Sequence, residues 1–326
     1  MIIRSEKYIT NPTVACSIIV YNQKDYIGRC IEGMLEQKCD FTFNIVISDD
    51  CSTDGTQEVL KDYQARYPEI IKLVLNERNG GIASNWVNCC KAMEGGEFIA
   101  FCDGDDYWSL PQKLQLQYDY LRSHPDCVGV TTDCDSIDEN GVVRHAAIED
   151  AGGAQPTVLT QIQVWEDSVH VNSGGMFFRK EPFDRYMPFD AFVEYDFPFQ
   201  DWPALLVMAG HGVVHKLPIS SYTYRIGHVS DSHPDDIAKL ERRMKRGEKM
   251  YWYLHTLFPA LPYSEDDYKN YITDIMLKFC IKSGDYRNAK RYARLSKHKS
   301  FRVLCCYSYV SFHMFRAVKK MVGIIR

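Results

Sequence analysis

The hydrophobic and polar positions of the first hundred residues repeat one motif. Val14 to Asn22, beginning just after Pro12, is a short and almost wholly apolar run, as expected of a parallel strand buried on both faces. From Asp25 the spacing turns helical, with Tyr26, Ile27, Cys30, Ile31, Met34 and Leu35 three and four residues apart. Phe43 to Ser48 reads as a second strand and ends in Asp49-Asp50; Ser52 to Thr56 then offers turn and N-cap chemistry for a helix through Val59, Leu60 and Tyr63. Ile70 to Leu75 is a third strand, Asn79-Gly80-Gly81 a turn, Ala83 to Met93 a helix. Phe98 to Trp108 is a fourth strand that ends abruptly in Asp103-Gly104-Asp105-Asp106. Strands alternating with helices in this way predict an α/β domain with a mostly parallel sheet.

The pattern continues less regularly. A helix is expected from Leu110-Pro111 to Arg122, with Leu114, Leu116 and Tyr120 available for packing, and then a strand over Val128 to Thr132 and a turn at Asp138 to Gly141. Ala146 to Gln163 lacks periodicity and holds Gly152-Gly153, so it reads as a loop placed to act as a lid. Asn172 to Arg179 is a small-residue turn leading into a strand. Asp201 precedes a helix over Ala204 to Ala209, where it is either an N-cap or a functional carboxylate. A last strand runs from Leu217 to Arg225, followed by His228. From Asp235 the character becomes helical and rich in Lys and Arg, which places a boundary between a domain at 1–234 and a helical region at 235–326. Gly284 to Lys290 has the form of a helical-hairpin turn, and no Asp or Glu follows Asp285. The basic, aromatic-rich tail from Phe301 to Arg326 suits either an anionic membrane surface or docking on protein, including a second subunit.

Composition narrows this picture. The chain has 326 residues, 45% of them hydrophobic, enough for one large domain with an appendage. A formal net charge of −5 argues against a dedicated nucleic-acid binder. The twelve cysteines lie in apolar runs or adjacent pairs with no zinc spacing, so reduced thiols in a cytosolic protein are expected. Neither a signal-peptide core nor a long apolar span is expected. A dinucleotide-binding GxGxxG and a P-loop are both absent after the first strand. What remains is acidic chemistry at strand ends. Ligands in such sheets bind outside the carboxyl ends of the strands, and three of these ends carry polar groups: Tyr21-Asn22, Asp49-Asp50 and Asp103 to Asp106. Carboxylates so close together repel, and a divalent cation such as Mg²⁺ or Mn²⁺ would offset that; the alternative is a solvated acidic turn.

Taken in order, Val14 to Asn22, Asp49 to Asp54, Asn79 to Gly81, Asp103 to Asp106 and Gln200-Asp201-Trp202 resemble family 2 glycosyltransferases of the GT-A fold, over residues 12 to 232. The resemblance implies a Rossmann-like, mostly parallel sheet flanked by helices, here with a C-terminal helical extension. It implies that Tyr21 packs on the nucleotide base, with Asn22 beside it, and that Asp49 and Asp50 contact base or ribose. Asp103 would face the ribose, and Asp105 and Asp106, joined by His228, would hold Mn²⁺ or Mg²⁺ on the diphosphate. Asp201 matches the family's catalytic base, although Gln200 stands before it where Glu or Gly is commoner. Gly174, Gly175, Gln200, Trp202 and Arg225 are candidates for contacts with the acceptor or donor sugar.

Such a set implies inverting transfer from a nucleotide-sugar, by default a UDP-sugar, to a glycan or lipid-linked acceptor in surface polysaccharide assembly. The expected location is cytoplasmic, peripheral on the inner face of the membrane, with oligomerisation through the C-terminal helices as an alternative use of the tail. Two rivals are a sugar-nucleotide nucleotidyltransferase, disfavoured by the glycine-poor Tyr21 to Asp25, and a non-catalytic adaptor that retains the fold.

Overall fold

The computed structural model describes residues 1–145, 157–166, 172–226, 236–297 and 300–321. Its contacts divide the chain into two compact units, Met1–His228 and Val229–Arg326.

In the first unit the strands are β1 (Ile2–Ile3), β2 (Val14–Val20), β3 (Phe43–Asp49), β4 (Ile71–Leu75), β5 (Phe98–Asp103), β6 (Tyr107–Trp108), β7 (Cys127–Ile137), β8 (Val143–Arg144), β9 (Thr157–Leu159), β10 (Phe177–Arg179) and β11 (Val213–Arg225). They form one sheet in the order β1-β4-β3-β2-β5-β10-β7-β11-β6, with β8 on β7 and β9 on β11. The run β4-β3-β2-β5 is parallel throughout, as the alternating pattern requires. All seven residues of β2 are buried, which is why that strand reads as continuous rather than alternating hydrophobicity. Beyond β5 the short β10 is antiparallel to both neighbours, and β7 and β11 pair in parallel.

The helices of this unit are α1 (Lys24–Leu35), α2 (Thr56–Arg66), α3 (Gly81–Ala92), α4 (Lys113–Ser123), α5 (Gln161–Trp165), α6 (Lys180–Tyr186), α7 (Phe189–Glu194) and α8 (Asp201–His211), with a 3₁₀ turn at Ser173–Gly175. The core joins Ile27, Ile31 and Met34 of α1 to Cys16 and Ile18 of β2 and to Phe98 and Ala100 of β5. Leu114 is buried as expected, whereas Leu116 faces solvent and contributes no packing.

Several expectations change. The strand expected over Val128 to Thr132 runs on to Ile137, because β11 supplies partners as far as Arg225. Within the segment expected to be an irregular loop, β9 pairs with β11, and α5 follows behind a capping box in which Thr160 and Gln163 satisfy each other's backbone. Residues 146–156, including Gly152-Gly153, lie outside the described residues, as does His228. The N-cap of α2 is Gly55 at φ 101°, not a hydroxyl residue, and Asp201 is the first residue of α8, not its cap.

The second unit is helical: α9 (Ile237–Leu257), α10 (Glu265–Ser283), α11 (Tyr286–Leu295), α12 (Phe301–Cys305) and α13 (Tyr309–Met321). Gly284, at φ 85°, ends α10 in a left-handed cap, and Asp285 caps α11 through the Asn288 N–H. This confirms a hairpin at Gly284 to Lys290. Leu240, Met276, Leu277, Cys280, Tyr292 and Phe312 form its separate core. All twelve cysteines of the chain are free thiols. Among the described residues no helix is long and apolar enough to cross a membrane.

Candidate active site

The parallel strands β2, β3 and β5 deliver their carboxyl ends to one edge of the sheet, and there the acidic groups meet two different fates. At the end of β3, Asp49 is fully buried; its Oδ2 accepts from the Ser52 N–H at 3.0 Å and from Gln57 Nε2 at 2.7 Å. Asp50 accepts from the Gly80 and Gly81 N–H groups, each at 2.8 Å, one on each carboxylate oxygen. It thus caps the N-terminus of α3 with a negative charge where the helix dipole is positive. Asp54 does the same twice, taking the Thr56 N–H that opens α2 and the Lys24 N–H that opens α1, both at 3.0 Å. Both members of the expected acidic pair are buried and turned inward to hold this loop.

Beside them Tyr21 is 46% exposed, an unusual position for a large ring at the end of a buried strand. Asn22 sits at φ 50° and interlocks two loops: its N–H donates to Ser52 Oγ at 2.8 Å, and its Oδ1 accepts from the Thr53 N–H at 2.8 Å. Behind both strand ends, Asn85 of α3 donates to the Ser48 carbonyl at 3.0 Å and accepts from Ser48 Oγ at 2.6 Å. A buried polar residue with partners on both sides fixes α3 to the sheet.

At the end of β5 the chain turns tightly. The Asp106 N–H returns to the Asp103 carbonyl at 3.0 Å, and a Cβ at Gly104 would crowd Val20 at 3.0 Å and the Gln23 side-chain end at 2.5 Å. Asp103 accepts from Ser173 Oγ at 2.7 Å and from Gln200 Nε2 at 3.0 Å. Burial first, and the neighbouring Asp105 next, push its pKa up to about 7; Asp201 adds to the rise, and the two hydrogen bonds oppose it. Asp106 is only 1% exposed. One of its oxygens accepts from the Arg225 N–H at 2.8 Å, and the other, Oδ2, is buried with no hydrogen-bond partner among the described residues. Burial and then Asp105 hold the Asp106 pKa well above the usual carboxylate range. Arg225 closes this corner: its Nε donates to the Asp105 carbonyl at 3.0 Å, and its guanidinium lies 4.3 Å over the Tyr26 ring.

The donor set at this corner fits a hard divalent cation. Asp106 Oδ2 is an orphaned buried acceptor, and Asp105 raises the pKa of both Asp103 and Asp106, a repulsion that a bound cation would relieve. Among the described residues no three His, Cys, Asp or Glu side chains converge as a ready-made cage. An ion held by Asp105 and Asp106 would therefore complete its shell with ligand oxygens, as Mg²⁺ commonly does.

Across from β5 stand Gln200 and Asp201. Gln200 is buried and its Nε2 donates to Asp103, so it positions that carboxylate, while its Oε1 has no hydrogen-bond partner among the described residues. Asp201 is only partly buried and, with Trp86, Phe101, Ser173, Met176, Gln200 and Ala204, lines a small recess with an apolar floor. Trp202 commits its indole N–H to the Val164 carbonyl at 2.6 Å, anchoring α5 to α8. Gly174 and Gly175 are buried, with a Cβ on either meeting the Tyr222 ring at 2.5 Å or the Thr132 carbonyl at 2.7 Å. They allow close packing of the 3₁₀ turn.

Two residues escaped the sequence reading. Lys113 is wholly buried, its Nζ 4.4 Å over the Trp108 ring, and burial lowers its pKa to about 7. It donates to Gln117 Oε1 at 2.6 Å, and Gln117 Nε2 donates to the Gly175 carbonyl at 2.8 Å. The chain Lys113–Gln117–Gly175 thereby holds the turn whose Ser173 holds Asp103. A Lys at the start of a helix looks like a surface residue, and only its i,i+4 spacing to Gln117 hinted otherwise.

Comparisons with known proteins agree with this geometry. Residues 16–187, more than half of the chain, match the family described as glycosyl transferase family 2. A putative glycosyltransferase, EpsE of Bacillus subtilis (strain 168), is 35% identical over 133 residues, covering 41% of this chain and 47% of EpsE. A putative teichuronic acid biosynthesis glycosyltransferase, TuaG of the same organism, is 37% identical over 112 residues, covering 34% and 42%. The uncharacterized protein Rv1520 of Mycobacterium tuberculosis (strain ATCC 25618 / H37Rv) is 40% identical over 108 residues, covering 33% and 31%. Each alignment spans less than half of the relative's own length. Among solved structures, S. aureus TarS 1–349 in complex with UDP-GlcNAc shares the fold with a TM-score of 0.51 at 15% identity, covering 95% of this chain and 91% of that one. By its sequence match and its architecture, this chain belongs to glycosyl transferase family 2.

Proposed function

We propose that this chain transfers a sugar from a nucleotide-sugar, a UDP-sugar, to a hydroxyl of a glycan or lipid-linked acceptor in surface polysaccharide assembly, with inversion at the anomeric carbon. The observation that carries the reading is the meeting of buried Asp103 at the end of β5 with Asp105 and Asp201, both close enough to raise its pKa, with Asp106 beside them. The role in a surface polysaccharide draws on TuaG, described as a teichuronic acid biosynthesis glycosyltransferase.

In this reading Tyr21 offers its exposed face to the base. Asp103, raised to about 7 and steered by Ser173 and Gln200, stands at the ribose. Asp105 and Asp106 hold Mn²⁺ or Mg²⁺, which when bound supplies Lewis-acid neutralisation of the diphosphate leaving group. Asp201 takes the proton of the acceptor hydroxyl as the new bond forms, since a hydroxyl at neutral pH is a poor nucleophile. A single base on the side away from the leaving group gives direct displacement.

The test is a donor-hydrolysis and transfer screen across nucleotide-sugars with added Mn²⁺ or Mg²⁺. Asp201→Asn should lose about 10³-fold in turnover while nucleotide binding by calorimetry stays near the parent value. Near-normal turnover of that variant would remove Asp201 from the role of base. Pyrophosphate release from a sugar 1-phosphate and a nucleoside triphosphate would favour nucleotidyl transfer instead.

A further inference from the structure

The helical unit carries an apolar face that its own core does not use. In α13, Phe312 is fully buried and Phe315 packs against the same core. Helical geometry puts Val310, Met314 and Val318 on the opposite side, at four-residue spacing. They are 64%, 64% and 52% exposed. A helix that is apolar on both faces, with only one of them packed, normally meets a second apolar medium. Neighbouring α11 packs against the start of α13, where the Tyr286 ring lies 5.3 Å from that of Tyr309 and 5.4 Å from that of Phe312. The outer side of α11 is basic: Arg287 and Arg294 are exposed, and Lys290 is partly so. Arg291 pairs with Glu241 and Lys297 with Asp266. Among the described residues no carboxylate lies within ion-pair distance of Arg287, Lys290, Arg294 or Lys319.

We propose that this face is a docking surface for an anionic lipid bilayer, with Val310, Met314 and Val318 entering the headgroup boundary and the exposed basic residues of α11 meeting lipid phosphates. Charge selects this occupant. Because no Asp or Glu follows Asp285, a second copy of the same surface would bring like charges together, whereas an anionic leaflet complements them. An amphipathic helix of this kind lies in the interface plane and does not span it. The inference stands apart from the transferase reading, because its test measures no activity.

The experiment is co-sedimentation of the full chain with vesicles of phosphatidylcholine alone and of phosphatidylcholine with phosphatidylglycerol, alongside sedimentation velocity without lipid. The expected result is partition onto the anionic vesicles only, weakened by salt. Val310→Ser with Met314→Ser leaves the charge unchanged and should lower partition by about tenfold per side chain. Arg287→Glu with Arg294→Glu should lower it by at least about fivefold per residue. Both pairs lie on the surface, and unchanged melting would confirm that they fold. Absent or equal binding by the parent and both variants overturns the proposal. So does a dimer that the serine pair dissociates in the absence of any lipid binding.

Discussion

The two acidic strand ends, Asp49-Asp50 after β3 and Asp103 to Asp106 after β5, look alike in sequence and behave differently in the folded chain. Asp50 is matched by two backbone N–H groups, one on each oxygen; Asp49 takes a backbone and a side-chain donor on Oδ2, and its buried Oδ1 has no partner among the described residues. In the second cluster Asp103 takes two side-chain donors. Asp106 has one N–H and one orphaned oxygen, and its neighbours push both it and Asp103 upward. In the first cluster the carboxylates take backbone N–H groups and shape a loop; in the second, neighbouring carboxylates raise the pKa of Asp103 and Asp106, a repulsion that a cation would relieve. Proximity in sequence does not separate the two, whereas the repulsion among carboxylates does.

This contrast can be tested by removing charge while keeping shape. The largest effect is expected on activity: Asp106→Asn should abolish metal-stimulated turnover, by about 10²-fold or more, read in the transfer assay. The same substitution should raise the melting temperature of the metal-free protein, because the amide oxygen still accepts from the Arg225 N–H and a buried charge is gone. Asp50→Asn should do the reverse, costing about 1–3 kcal/mol in denaturant unfolding, because an amide cannot accept on both of its atoms. If both variants move stability in the same direction, the distinction fails.

The pH dependence should follow. Between its ordinary 3.8 and about 7, folded Asp103 holds a proton that the unfolded chain has released. Its contribution to stability is therefore full below about 4 and is lost as pH rises to about 7, a decline that Mn²⁺ should flatten. Melting curves from pH 4 to 8, with and without the ion, measure this. The smallest expected change is local. Gly174→Ala drives a methyl into the Tyr222 ring and should cost about 1–3 kcal/mol, with nucleotide affinity little altered if the glycine serves packing alone.

Much of the fold was legible because β2 to β5 are buried on both faces, and buried strands announce themselves as apolar runs. The order Asp49-Asp50, Asp103 to Asp106 and Asp201 pointed to the site because ligands gather at the carboxyl ends of strands. Other features were hidden by context. Gln200 and Trp202 read as acceptor contacts, since adjacency to Asp201 cannot say which way a side chain turns; one holds Asp103 and the other Val164. Gly174 and Gly175 read as candidates for sugar contacts, while the close approach of Tyr222 and Thr132 that they permit depends on strands forty or more residues away. Lys113 was invisible because nothing local marks a buried amine.

The three capped helices carry one more consequence. A helix start is where α/β proteins commonly seat a phosphate, since free N–H groups and the dipole both favour an anion. Here Asp54 already occupies the first N–H of α1 and of α2, and Asp50 occupies that of α3. The protein has filled its own anion seats with carboxylates. A diphosphate arriving at this edge finds no vacant helix start among these three, and its charge must be balanced by a mobile cation or by side chains. This gives a structural reason why a chain without a glycine-rich phosphate loop should have collected acids, and not glycines, at the ends of its strands.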